Sequence, residues 1–142
     1  MFVSFKLSPF LLIIIFLLFF GLFVSTQRAQ LPLYYRKSVG ALVFFDISNS
    51  RSFDIIEQWI NDILVHSPHP VIAIVGNKCD LESTREVNPS QAQELVDKIK
   101  KSQKLNIFYM ETSALSGKNV NELFEELSRH ILEDAGFNVS SL

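Results

Sequence analysis

Three short apolar runs divide the chain beyond its first 38 residues: Val39–Ile47, Val71–Gly76 and Leu105–Met110. They are close to continuous rather than alternating, and rich in β-branched and aromatic residues. That is the pattern of strands covered on both faces, as in a parallel sheet. Between and after them the apolar period becomes helical. Phe53, Ile56, Trp59, Ile60, Ile63 and Leu64 predict a helix over Phe53–Val65, capped by Ser50 or Ser52. His66-Ser67-Pro68-His69-Pro70 ends it, because two prolines cannot continue a helix. Asn88-Pro89-Ser90-Gln91 starts a second helix running to about Lys101, with Ala92, Leu95, Val96 and Ile99 on one face. Asn119 and Glu122 predict a capping box for a third, Val120 to about Glu133, with Val120, Leu123, Phe124, Leu127 and Ile131 inward and Gly136 as its stop.

The order β-α-β-α-β-α implies an α/β fold: a parallel sheet with right-handed crossovers, both crossover helices on one face and the last helix on the other.

The N-terminus has a different pattern. Phe10–Val24 is apolar throughout apart from Gly21, and Lys6 is the only charged side chain in Met1–Val24. As a helix rising 1.5 Å per residue, residues 7–24 reach about 27 Å, the thickness of a thin bilayer. Residues 1–24 therefore divide off as an apolar segment, with 25–33 as a polar linker. Three readings of the segment compete. A membrane anchor fits its length, and Arg28, Arg36 and Lys37 on its C-terminal flank favour a cytosolic position for the domain beyond them. A signal peptide needs a small-residue cleavage site, and Val24-Ser25-Thr26 is a poor one. The third reading is sequence not selected as protein, from an alternative exon or unspliced transcript.

Charge and composition narrow the function. The formal net charge of −2 gives no nucleic-acid footprint. A single cysteine, Cys79, excludes an intramolecular disulfide and fits a reducing compartment, where it packs as a small residue. His66 and His69 have no Cys or carboxylate at metal-ligand spacing and read as loop residues. Lys98, Lys100, Lys101 and Lys104 read as a solvated helix end that complements the helix dipole.

The candidate chemistry comes after the second apolar run, where Asn77-Lys78-Cys79-Asp80 emerges at a strand's C-terminal end. Ligands of open α/β sheets bind outside that edge. An amide, an ammonium and a carboxylate delivered there suit a flat polar heterocycle, although Asn and Asp after a strand also serve as plain turn-formers. A second stretch, Glu111-Thr112-Ser113-Ala114-Leu115, stands after the third run at the same edge.

Asn77-Lys78-Cys79-Asp80-Leu81 resembles the guanine-specificity motif of Ras-superfamily GTPases, and Glu111–Leu115 resembles their second base-contacting loop. Tyr34-Tyr35-Arg36-Lys37-Ser38-Val39-Gly40-Ala41, then Phe45-Asp46-Ile47-Ser48 and Ser52-Phe53, resembles the Rab branch. The likeness runs from about Leu31 to Ala135, placing the C-terminal part of a Rab-like G domain at 34–135 and a short tail at 136–142. It implies a partial P-loop G domain, three parallel strands with three helices, preceded by an apolar N-terminal helix. It also implies roles: Asp80 accepts from the guanine ring N–H and exocyclic amine, Asn77 meets the other edge of the base and braces the loop, and the Lys78 stem lies along the ring. Ser113 holds Asp80, and the Ala114 N–H donates to the guanine carbonyl. In the complete family fold the Val39–Ile47 strand pairs with the phosphate-loop strand, so here it is expected as an open edge that invites aggregation or pairing with another chain. The alternative to membrane insertion is a Phe-rich N-terminus folded back over the exposed face.

The phosphate half of such a site has no counterpart in the sequence. A P-loop requires G-x-x-x-x-G-K-[ST], and none of the five glycines fits. Gly117-Lys118 is succeeded by Asn119, with Thr112 where the first glycine belongs, and no D-x-x-G element precedes the motifs. The tail has none of the prenylated cysteines usual in Rabs. A good bidentate base contact is worth about 1–3 kcal/mol, whereas even millimolar binding needs about 4 kcal/mol. The expected ligand is thus GTP or GDP held weakly or not at all, with no magnesium held by the chain alone, no metal site and no hydrolysis. Expected partners are guanine nucleotide, a membrane through residues 7–24 and effector-like proteins, at the cytoplasmic face of an intracellular membrane or in the cytoplasm. The alternatives are a non-enzymatic interaction module or decoy, and an unstable alternative-transcript product.

Overall fold

The computed structural model describes residues 38–67 and 69–138, with the backbone of residues 2–5, 7–8 and 11–12. Most of the apolar segment, the linker and Tyr34–Lys37 lie outside the described residues. Three short strands come first: β1 (Phe2–Phe5), β2 (Leu7–Ser8) and β3 (Leu11–Leu12). Next come β4 (Gly40–Asp46), α1 (Ser50–Asp54), α2 (Ile56–His66), β5 (Val71–Asn77), α3 (Pro89–Gln103), β6 (Ile107–Glu111) and α4 (Val120–Asp134).

Strands β4, β5 and β6 are parallel and adjacent in that order, with Asp46 opposite Asn77 and Gly76 opposite Glu111. The sheet alternates between two cores. Ala41, Val43 and Phe45 face the side where Ile56, Ile60 and Ile63 of α2 meet Ala92, Val96 and Ile99 of α3. Leu42, Val71, Ala73 and Val75 face Leu123 and Leu127 of α4. Each fully buried isoleucine among them contributes about 1.5–3 kcal/mol. Gly40 allows α4 to lie close, since a Cβ there would come within 2.7 Å of Ile131 Cδ1.

Several local expectations are corrected. The first helix begins at Ser50 and is interrupted by a turn at Ile55, and Asn49 rather than Ser50 or Ser52 is its N-cap residue. Ser52 is drawn away: its Oγ donates to the Asn49 carbonyl (2.6 Å) and accepts from the Asp46 N–H (2.9 Å). The capping box at Asn119 does not form. Asn119 is left-handed (φ 58°), and its side-chain amide donates to the Glu111 carbonyl at 2.8 Å, closing the end of β6 instead of capping α4. Lys98 is not simply solvated, because its ammonium reaches Glu57 of α2 at 2.8 Å.

The capping box at the start of α3 does form. Gln91 Oε1 accepts from the Asn88 N–H at 2.8 Å. Beyond α4, Gly136 (φ 84°) lets the Phe137 N–H reach back to the Leu132 carbonyl.

The N-terminal segment differs from expectation where its backbone is described. Residues 2–5, 7–8 and 11–12 are extended rather than helical. The β4 edge expected to stand open is paired antiparallel with β1, Phe2 opposite Val43 through Phe5 opposite Gly40. An unpaired edge offers a row of backbone donors and acceptors, and Phe and Val favour a strand that satisfies them. Among the described residues, no helix is long and apolar enough to cross a membrane.

Candidate functional site

Parallel pairing brings the C-terminal ends of β4, β5 and β6 to one rim of the sheet, and the five residues singled out for base contact lie there. Asn77 is the last residue of β5. Lys78 then takes a left-handed conformation (φ 65°), which turns the chain sharply and leaves Cys79 buried between two exposed neighbours. The Cys79 N–H donates to the Thr112 carbonyl (3.0 Å), and the Thr112 N–H to the Gly76 carbonyl (2.9 Å). The two loops are thereby laced together by their backbones.

Side chains complete the lacing. Ser113 is fully buried, and its Oγ donates to Asp80 Oδ1 at 2.5 Å while accepting from the Ser116 N–H at 3.1 Å. Asp80 itself is exposed. One oxygen of an exposed carboxylate is thus held by a buried hydroxyl. Asn77 Oδ1 accepts from the Ala114 N–H at 3.2 Å and from Thr112 Oγ1 at 3.5 Å. The Ala114 N–H, which the resemblance assigns to a guanine carbonyl, is therefore engaged with Asn77. A base carbonyl would have to share or take over that donor.

Lys78 points the other way, toward β4. Its Nζ lies 2.5 Å from Asp46 Oδ2. Asp46 also accepts from the Ser48 N–H (2.9 Å) and Oγ (2.6 Å). Burial pushes the Asp46 carboxyl up, but Lys78 and the two Ser48 donors outweigh it, so its pKa lies below the usual carboxylate value.

A second network supports the rim from behind. Arg85, nearly buried, donates to both oxygens of Glu111 (2.8 and 2.9 Å) and to the Val87 carbonyl, and also reaches exposed Glu82. Tyr109 Oη donates to Glu111 Oε1 at 2.6 Å. Arg85 leads the causes that hold the Glu111 carboxyl below its ordinary range, ahead of the opposing effect of burial. Burial, then the Glu111 hydrogen bond, pushes the Tyr109 hydroxyl well above the usual phenol value. Gly76 allows this packing, because a Cβ there would stand 2.9 Å from Tyr109 Oη.

All five residues singled out by sequence, Asn77, Lys78, Asp80, Ser113 and Ala114, thus meet at one rim. Arg85 and Tyr109 were given no role by sequence reasoning, and Glu111 was noted only as the start of its loop. Their signal was faint: a lone arginine in a charged loop and a glutamate ending an apolar strand. Among the described residues, no cluster of three or more His, Cys, Asp or Glu could hold a metal ion. The donor set instead suits a flat, neutral heterocycle with adjacent N–H groups on one edge, met by an anchored carboxylate.

A model of the Ras family matches residues 26–133. The mouse (Mus musculus) Ras-related protein Rab-22A is 40% identical over 105 residues, covering 73% of this chain and 51% of that protein. The putative ras-related protein Rab-5B of Dictyostelium discoideum is 35% identical over 108 residues (75% and 48%), and the Ras-related protein SEC4 of Candida albicans 38% over 109 (72% and 49%). The chain spans about half the length of these curated relatives. With its parallel sheet and motifs at one rim, the chain belongs to the Ras family, and within it to the Rab branch.

Proposed function

We propose that the chain is a Rab-like guanine-reading module that engages guanine nucleotides chiefly through the base, weakly, and does not hydrolyse GTP. The observation that carries this reading is the buried Ser113 hydroxyl holding the exposed Asp80 carboxylate at the sheet rim. Guanine offers that carboxylate a ring N–H and an amine side by side, whereas adenine presents an acceptor where Asp80 needs a donor. The family's ligand, GTP or GDP with magnesium, fits these residues at its base end. The sequence supplies neither the glycine-rich backbone cradle nor the D-x-x-G element that would hold the phosphates and the metal. Hydrolysis depends on positioning and charge stabilisation at the phosphate.

A nitrogen-15 NMR titration of the full chain with guanosine, GDP and adenosine tests this. Guanosine and GDP should bind within about threefold of each other, with or without magnesium, and adenosine at least tenfold more weakly. Shifts should concentrate at residues 77–80 and 113–115. Magnesium-dependent GDP binding a hundredfold tighter than guanosine would show that the phosphates are read after all.

Kinship supports a role in vesicle traffic at the cytoplasmic face of an intracellular membrane, with effector-like protein partners. Membrane contact through residues 7–24 and the β1–β4 pairing are alternatives to each other. With Phe5 opposite Gly40, Leu7 and Ser38 leave the sheet at the same end, away from Asn77. A single crossing by residues 7–24 would deliver Ser25 to the far side of the bilayer. The stretch back to Ser38, which carries Arg28, Arg36 and Lys37, is too polar to return through hydrocarbon. Insertion therefore vacates the β4 edge. That open edge supports the second reading, a non-enzymatic module that accepts a strand from a partner protein.

A further inference from the structure

We propose that Asp46 is the positioning residue for Lys78, fixing the lysine so that its stem forms the floor on which a guanine ring lies. The inference rests on the base-reading function above and adds a residue from a different strand to the site.

Three features support it. First, the Lys78 backbone is left-handed, a conformation that a residue with a Cβ adopts at a cost, and it sends the side chain toward β4, away from Asp80. A long four-carbon stem in solvent samples many rotamers, and ordering it on ligand binding costs affinity. Its head is anchored instead, at 2.5 Å from Asp46 Oδ2.

Second, the anchor is itself fixed. Asp46 Oδ1 receives the Ser48 N–H and Oγ, while the Asp46 N–H goes to Ser52 Oγ. Oδ2 remains for Lys78. One carboxylate oxygen ties the acid to its own loop, and the other reaches across to β5. Third, register places Asp46 directly opposite Asn77, so the bridge spans neighbouring strand ends at the height of the reading loops. Asp80 is held from the β6 side and Lys78 from the β4 side, with the exposed rim between them.

A double-mutant cycle on the full chain tests the assignment, with guanosine affinity read by NMR titration. Asp46→Asn keeps an acceptor for Ser48 and removes the charge. It should weaken guanosine binding three- to tenfold, and Asp46→Glu should restore part of the loss. In a Lys78→Ala background, the same Asp46→Asn change should have no further effect, because Asp46 acts through Lys78. Equal losses in both backgrounds would make Asp46 a general support for the fold and overturn the proposal. Undiminished affinity in Asp46→Asn would also overturn it while leaving the base-reading function standing. Absence of guanosine binding by the wild-type chain would refute the base-reading function itself, and the proposal with it.

Discussion

The two ends of β4 are secured by different means. At its C-terminal end, β4, β5 and β6 are joined by short polar links between loops: Lys78 to Asp46, Asp80 to Ser113, Asn77 to Ala114, and Arg85 to Glu111. All four pairs join residues 26 to 37 positions apart. At the N-terminal end, the edge Gly40–Val43 is closed by Phe2–Phe5 through backbone pairing alone, over a sequence separation similar to that of the rim links. An antiparallel ladder supplies backbone hydrogen bonds and adds no charge complementarity. The rim is thus tied by several charged and polar links, and the far edge by one backbone ladder.

The sharpest way to break this contrast is at Arg85. Arg85→Ala leaves Glu111 half-buried with only Tyr109 for company, and should cost about 2–3 kcal/mol in urea unfolding. It should also loosen the 77–87 loop, seen as faster amide exchange there. A loss under 0.5 kcal/mol would show that the rim is held by backbone lacing alone.

Acid should act on the same network with a smaller effect. The Glu111 carboxyl is held below its ordinary value of 4.5, as is Asp46 below 3.8. A group with a depressed folded-state pKa contributes stability above its unfolded value and loses it as pH falls through the folded one. Stability should therefore decline below about pH 4.5, and Arg85→Ala should flatten that decline because Glu111 no longer has a reason to stay ionised. An identical pH profile in the variant would remove Glu111 from the account.

The far edge calls for a trap rather than a stability measurement. Ser4 lies opposite Ala41, so cysteines at those positions should form a disulfide on mild oxidation. A register-shifted pair, Ser4→Cys with Val43→Cys, should not. Equal yields from both pairs would mean that β1 has no fixed register on β4.

Much of this was legible in the sequence because the signals were local. Apolar runs of six to nine residues required strands buried on both faces, and the alternation of elements required parallel crossovers. The three strands β4, β5 and β6 and both cores result from that pattern. The stretches Asn77–Asp80 and Glu111–Leu115 stood out because each follows an apolar run, and their resemblance to Ras-superfamily motifs singled out Asn77, Lys78, Asp80, Ser113 and Ala114. What failed was local competition among polar groups. Ser52 and Asn119 look like helix caps in one dimension, but each has a carbonyl closer at hand in the folded chain, and the shorter path wins.

The amino-acid order by itself determined the α/β architecture and which residue types gather at the rim, since hydrophobic period and motif spacing act along the chain. Only the tertiary structure decided which groups answer one another: Asp46 for Lys78, Glu111 for Arg85, and Phe2–Phe5 for the edge of β4. Those pairings depend on distances between segments remote in sequence. Such distances are set when strands take their register and not before.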